Sequence, residues 1–166
     1  MIKYFDIKYE QGGVPIIEIL SRLGFKVYQQ ELQPSSLSAY IAVDPKLQER
    51  YGTNRITCVN CNDNIGHKRF ALAHELAHYL FDFDENSVVY YNTYLANEGE
   101  QNEIEQRANA FAANLLMPED EFRKVLNSCN EEMKADTISY LSDYFQVSVT
   151  AVMKRIGELK IEGYDC

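Results

Sequence analysis

The stretch Phe70-Ala-Leu-Ala-His74-Glu75-Leu-Ala-His78-Tyr-Leu-Phe81 decides how this chain is read. It contains no Gly, no Pro and no β-branched residue, and it is rich in Ala and Leu, so the spacing predicts a helix over 70–81. Apolar residues lie on nearly every face, which places the helix inside the protein. Apart from the amphipathic Tyr79, its only polar side chains are His74, Glu75 and His78. A buried ionisable group is costly unless something pairs with it or binds it.

His74 and His78 stand four residues apart, one helical turn, so their rings project from one face. Two imidazoles so placed can hold one zinc ion at about 2.0–2.1 Å per Zn–N bond. Glu75 follows the first of them and sits beside such an ion, where a carboxylate can take the proton of an attacking water. This is the His-Glu-x-x-His pattern of zinc peptidases, and each position answers a chemical need. The bland alternative is a core helix whose two histidines hydrogen-bond to neighbours. Two of them at i and i+4 with an acid between favour the metal.

A catalytic zinc takes three protein ligands and leaves a fourth position open. His67 is the only other histidine; it precedes the helix with no ligand spacing and is expected to be a surface or helix-entry residue. The third ligand is therefore expected to be a carboxylate. Asp84, ten residues after His74, would need a Gly three residues past the second histidine to turn the chain back, and that position is Phe81. Glu105 is favoured. It opens a strong helical pattern, Glu103 to Met117, whose apolar face runs through Ile104, Ala108, Phe111, Ala112 and Leu115. Glu105 shares a stripe with Ala108 and Ala112, small residues that permit close approach to the central helix, whereas Glu103 points away. Asn109, one turn on, can accept the second ring N–H of a ligand histidine and fix its tautomer. Without the histidine pair, Glu105 would read as a solvated first-turn acid complementing the helix dipole.

The rest of the 166 residues frames this core. The net charge of −9 argues against non-specific binding to nucleic acid or anionic membrane. The N-terminus lacks a signal-peptide core, and no apolar run approaches 18 residues, so a cytoplasmic protein is expected. Cys58 and Cys61 form a Cys-x-x-Cys, but Cys129 and Cys166 supply no second close pair, and reduced thiols are expected. Val14–Leu23 reads as a helix ended by Gly24. Residues 25–32, 37–43, 55–60 and 88–94 read as strands, and Pro118 opens a helix to about Cys129. The fold class expected is α+β: a small antiparallel sheet packed on helices, the central one carrying the histidines, and a short helical C-terminal tail.

Two motifs, Arg69-Phe-Ala-Leu-Ala-His-Glu-Leu-Ala-His78 and Glu105-x-x-Ala-Asn-x-Phe-Ala-Ala-x-Leu-Leu-Met-Pro118, together make the chain resemble the ImmA/IrrE metallopeptidase family. The strand Ile56-Thr-Cys-Val-Asn60 also fits, and the likeness covers roughly residues 14–125. The resemblance implies a compact zincin-like peptidase of the gluzincin type, with His74, His78 and Glu105 as zinc ligands and Glu75 as catalytic base. It implies intracellular work by proteins often carried by phages and mobile elements, acting as anti-repressor proteases or regulators that cleave or inactivate a DNA-binding repressor. Many members carry an acid just before the Ala that Ala108 matches; here that residue is Arg107.

The division expected is a peptidase domain over 1–129 and a tail over 130–166 packed on it. Residues 137–159 read as two short helices with Ser148 as N-cap of the second, resembling a helix-turn-helix. From Asn130 on, four Lys and Arg (134, 154, 155, 160) face seven acids (131, 132, 136, 143, 158, 162, 165), so direct DNA binding is not expected. Neither is membrane association. The leading function is zinc endopeptidase. The rivals are a regulator that inactivates its partner by docking alone, with the metal structural, and a DNA-binding protein.

Overall fold

The computed structural model describes residues 13–83, 89–91, 98–129 and 134–162. Among them are α1 (Ile16–Arg22), β1 (Lys26–Gln30), β2 (Ala39–Val43), α2 (Leu47–Tyr51), β3 (Arg55–Asn60), α3 (Ile65–Phe81), β4 (Val89–Tyr91), α4 (Glu98–Leu116), α5 (Glu119–Asn127), α6 (Lys134–Phe145) and α7 (Val149–Glu158). The α+β class expected from sequence holds. The described residues fall into two compact units. One is Pro15–Ala112; the other is built from Ala113 onward, together with Gly13 and Val14.

The sheet of the first unit has the order β1-β3-β2-β4. β3 runs parallel to β1 and antiparallel to β2, and β4 is antiparallel to β2. The sheet is thus mixed, which corrects the antiparallel sheet expected. The reason is strand order. The chain reverses into β2 and again into β3, and β3 then slots between its two predecessors, restoring the direction of β1.

Side-chain alternation splits the sheet into two faces. On one, Cys58 packs with Leu32 and Leu37 of the β1–β2 connection and with Tyr28 and Tyr40, its register partners on either side. The other face carries Phe25, Val27 and Gln29. Here α3 lies: Tyr79 meets Phe25 edge-on at 4.8 Å between centroids, and Lys68 Nζ donates to Gln29 Oε1 at 3.4 Å. The order of those contacts sets α3 antiparallel to β1 and β3. Leu72, Ala73, Leu76 and Ala77 of α3 are buried, and each fully buried Leu contributes about 1.5–3 kcal/mol.

α3 starts five residues earlier than the apolar run alone suggests. Asn64 caps it, its side-chain oxygen accepting from the His67 backbone N–H at 2.9 Å. Asn60 secures the entry: its Nδ2 donates to the Leu37 carbonyl at 3.1 Å, and its Oδ1 accepts from the Asn62 N–H at 3.2 Å. At the far end of α1, Gly24 takes the left-handed conformation (φ 84°) that terminates helices, as expected. α2 was not expected from the sequence. Of the strand expected at 88–94, Val89–Tyr91 is present; Val88 and residues 92–94 lie outside the described residues, as does Asp84.

In the second unit, Phe122 of α5 stacks on Phe145 of α6 at 5.5 Å. Ser148 caps α7, accepting from the Ala151 N–H at 3.1 Å, as expected. Arg155 of α7, only 3% exposed, donates from Nε to the Met117 carbonyl at 3.0 Å and from a terminal nitrogen to Asn114 Oδ1 at 2.8 Å. The tail is therefore pinned to the end of α4. No helix among the described residues is long and apolar enough to cross a membrane.

Candidate metal centre

His74, His78 and Glu105 come together, their ligand atoms all within 4.8 Å of one another. His74 Nε2 lies 3.1 Å from Glu105 Oε2, His78 Nε2 lies 3.4 Å from Glu105 Oε1, and the two Nε2 atoms are 3.0 Å apart. A tetrahedral shell with bonds of about 2.0–2.1 Å has edges of about 3.3 Å, so these separations suit one small cation. The burial is graded: the His78 side chain is 3% exposed, His74 13% and Glu105 24%, which leaves an approach from the Glu105 side.

Each histidine is held from behind. His74 Nδ1 lies 3.1 Å from Asn109 Oδ1, and His78 Nδ1 lies 3.0 Å from Asp82 Oδ2. An amide or carboxylate oxygen can only accept, so both Nδ1 atoms carry the proton and both Nε2 lone pairs face inward. Two bare lone pairs beside a carboxylate repel one another unless a cation sits among them. The donor set thus fits a divalent metal, and neutral imidazole is the form that binds one. Burial, reinforced by His78, pushes the His74 imidazolium down from its ordinary value, while Glu105 and Asn109 oppose the shift. Neutral His74 is favoured before any ion arrives.

Glu75 follows His74 on α3 and is not one of the three clustered residues. It is 3% exposed, and its Oε2 is buried without a hydrogen-bond partner among the described residues. Burial first, and the Glu105 carboxylate second, push its carboxyl well above the usual carboxylate range; a backbone hydrogen bond from Ile41 of β2 opposes them. A nearby cation would reverse that balance, because it favours the ionised form. An unpartnered buried oxygen beside a cation site is the arrangement a proton acceptor needs.

Ala108 and Ala112, the small residues expected beside Glu105, are buried, and Glu103 is exposed. His67 stays out of the cluster: its Nε2 lies 2.8 Å from Ser38 Oγ at the entry to α3. Sequence reasoning missed Asp82. The signal was present, since Asp82 lies four residues past His78 and hence on its face of the helix. It also missed the partner of Arg107, whose guanidinium pairs with Asp82 Oδ1.

None of the curated proteins matches the chain. Among solved structures, a Mycobacterium tuberculosis transcriptional regulator is similar at 22% identity with a TM-score of 0.61. The match covers 90% of this chain and 42% of that one, so the chain spans less than half the length of that regulator, and the likeness is one of fold. A family model described as the IrrE N-terminal-like domain, a peptidase family, matches residues 20–157. That span takes in both motif-bearing helices and the tail as far as α7, and the chain accordingly belongs to the IrrE N-terminal-like peptidase family.

Proposed function

We propose that the protein is a zinc-dependent endopeptidase with His74, His78 and Glu105 as metal ligands and Glu75 as general base. One observation carries this reading: three ligand atoms converge at the separations of a tetrahedral site, and the neighbouring residue Glu75 has a buried carboxylate oxygen with no hydrogen-bond partner among the described residues. Bound there, zinc would supply Lewis acidity, lowering the pKa of a water toward about 7 and polarising a peptide carbonyl. Glu75 takes the proton from the attacking water and passes it to the leaving amine. Asn109 and Asp82 hold the imidazoles in the tautomer that turns Nε2 inward. β4 is an edge strand among the described residues, and such an edge is suited to aligning an extended peptide.

The substrate we assign is a protein, a DNA-binding repressor of a phage or mobile element, cut in the cytoplasm. Chemistry belongs to residues 1–129, and the tail over 130–166 serves packing or partner docking. Burial of Arg155 supports that role, because it takes one of the four tail cations away from any phosphate.

The experiment is Glu75→Gln. Zinc content by mass spectrometry should match wild type and the zinc-loaded variant should unfold no lower than wild type, while co-expression with the repressor encoded nearest the gene should yield fragments only with wild type. Fragments of the same size and amount with the variant would end the assignment of Glu75 as base. Inactivation of the repressor without fragments, untouched by the substitution, would instead make the protein a regulator that acts by docking.

A further inference from the structure

We propose that Arg107 is a positioning residue of the metal centre, acting through Asp82 to fix His78; this rests on the zinc reading given above. The two carboxylate oxygens of Asp82 meet different groups. Oδ2 accepts from His78 Nδ1 at 3.0 Å, and Oδ1 accepts from the Arg107 guanidinium. Asp82 is 7% exposed, whereas the Arg107 side chain is 49% exposed, so the chain of contacts runs from solvent inward to a ligand that is itself buried.

Asp82 needs that cation for a reason independent of the metal. It is the C-cap residue of α3, with its backbone N–H donating to the His78 carbonyl at 2.9 Å. A carboxylate at that end of a helix faces the negative pole of the helix dipole. Arg107 offsets the repulsion and holds the Asp82 carboxylate close to His78 Nδ1. A hydrogen-bond acceptor there fixes the tautomer that turns Nε2 inward and holds the ring still.

The guanidinium is itself held. Its carbon lies 5.7 Å from the centroid of the Phe81 ring, and Phe81 meets Phe111 edge-on at 5.4 Å. Phe111 stands one turn past Arg107 on α4, the helix that also carries Glu105. Several contacts therefore tie α4 to α3 and its C-cap. Glu105 reaches the ligand atoms, and Arg107 reaches the group behind one of them. The consequence is a centre preorganised before metal arrives.

The test is a double-mutant cycle on zinc affinity, measured by competition with a chromophoric chelator, using Arg107→Ala, Asp82→Asn and the pair. Arg107→Ala should weaken zinc binding by about three- to tenfold, less than the roughly 10–100-fold typical of a group touching the ligand directly. The same change in the Asp82→Asn background should have no further effect. Arg107→Lys, which keeps the charge but not the fork, should recover part of the loss. Unfolding temperatures in chelator check that each variant folds, and the lysine variant carries the comparison if the alanine one does not. An equal loss in both backgrounds, or no loss with Arg107→Ala, overturns the proposal while leaving the zinc centre intact. Wild-type protein that binds zinc no better than His74→Ala overturns the zinc reading, and this proposal with it.

Discussion

Replacing Glu75 with glutamine should make the metal-free protein more stable at neutral pH while abolishing peptidase activity. The side chain keeps its size and loses its charge. In the folded chain that charge is buried, is repelled by the Glu105 carboxylate, and has one oxygen without a hydrogen-bond partner among the described residues. An unsatisfied buried polar group costs about 1–3 kcal/mol, more when charged, so glutamine should recover about that much. For a chain of this size the recovery corresponds to a rise in unfolding temperature of roughly 2–12 °C.

The pH dependence follows from the direction of the shift. The folded-state pKa of Glu75 is raised above its ordinary value of 4.5. Its favourable contribution is therefore fully present below the unfolded-state pKa and is lost as pH rises toward the folded one. Wild type and Glu75→Gln should unfold at the same temperature near about pH 4, and the variant should pull ahead as pH climbs to about 7.5. The assay is differential scanning calorimetry in excess chelator across that range. Saturating zinc should shrink the gap, since a cation beside the carboxylate supplies the missing partner. A gap that does not change with pH, or a variant less stable than wild type at neutral pH, would refute the claim that Glu75 is held against its charge.

Four further outcomes are expected. His74→Ala or Glu105→Ala should leave purified protein without stoichiometric zinc by mass spectrometry, because each removes one of three converging ligands. Asn109→Ala should weaken zinc binding by about tenfold, the lower end for such a partner, since Asn109 is exposed and water can replace its oxygen. Arg155→Ala should destabilise the protein by about 2–4 kcal/mol in urea titration, since the Met117 carbonyl and Asn114 lose a charged donor in a buried position. In native protein at about pH 7.5 a thiol reagent should modify exposed Cys61 and spare Cys58, whose thiol burial pushes up; peptide mapping reads the sites.

Much of the centre was legible because helices carry their geometry in sequence. A period of 3.6 residues places His78 beside His74 and sets Glu105 in line with Ala108 and Ala112, whatever the rest of the chain does. The caps at Ser148 and the stop at Gly24 are local as well: a hydroxyl reaching an N–H three residues on, and a backbone that only glycine adopts freely. Asp82 was legible by the same rule and went unread because it also fits a helix stop. Both roles are real: it ends α3 and holds His78 at once.

What escaped the sequence is non-local. Nothing within Lys26–Gln30 or Arg55–Asn60 says that these strands lie side by side and run the same way, because the register between them is set by partners 30 residues apart. Yet that placement positions the chemistry. Because β3 sits inside the sheet, α3 must turn back at once along β1 and β3, and the loop between is fixed by Asn60 on one side and the Asn64 cap on the other. With both ends of that loop held, the helix has little freedom to slide, so Glu75 comes to rest against the Ile41 backbone of the neighbouring strand. A sheet with β2 beside β1 would leave α3 a different floor. The buried carboxylate on which the proposed reaction depends is thus a product of strand order as much as of the motif that announces it.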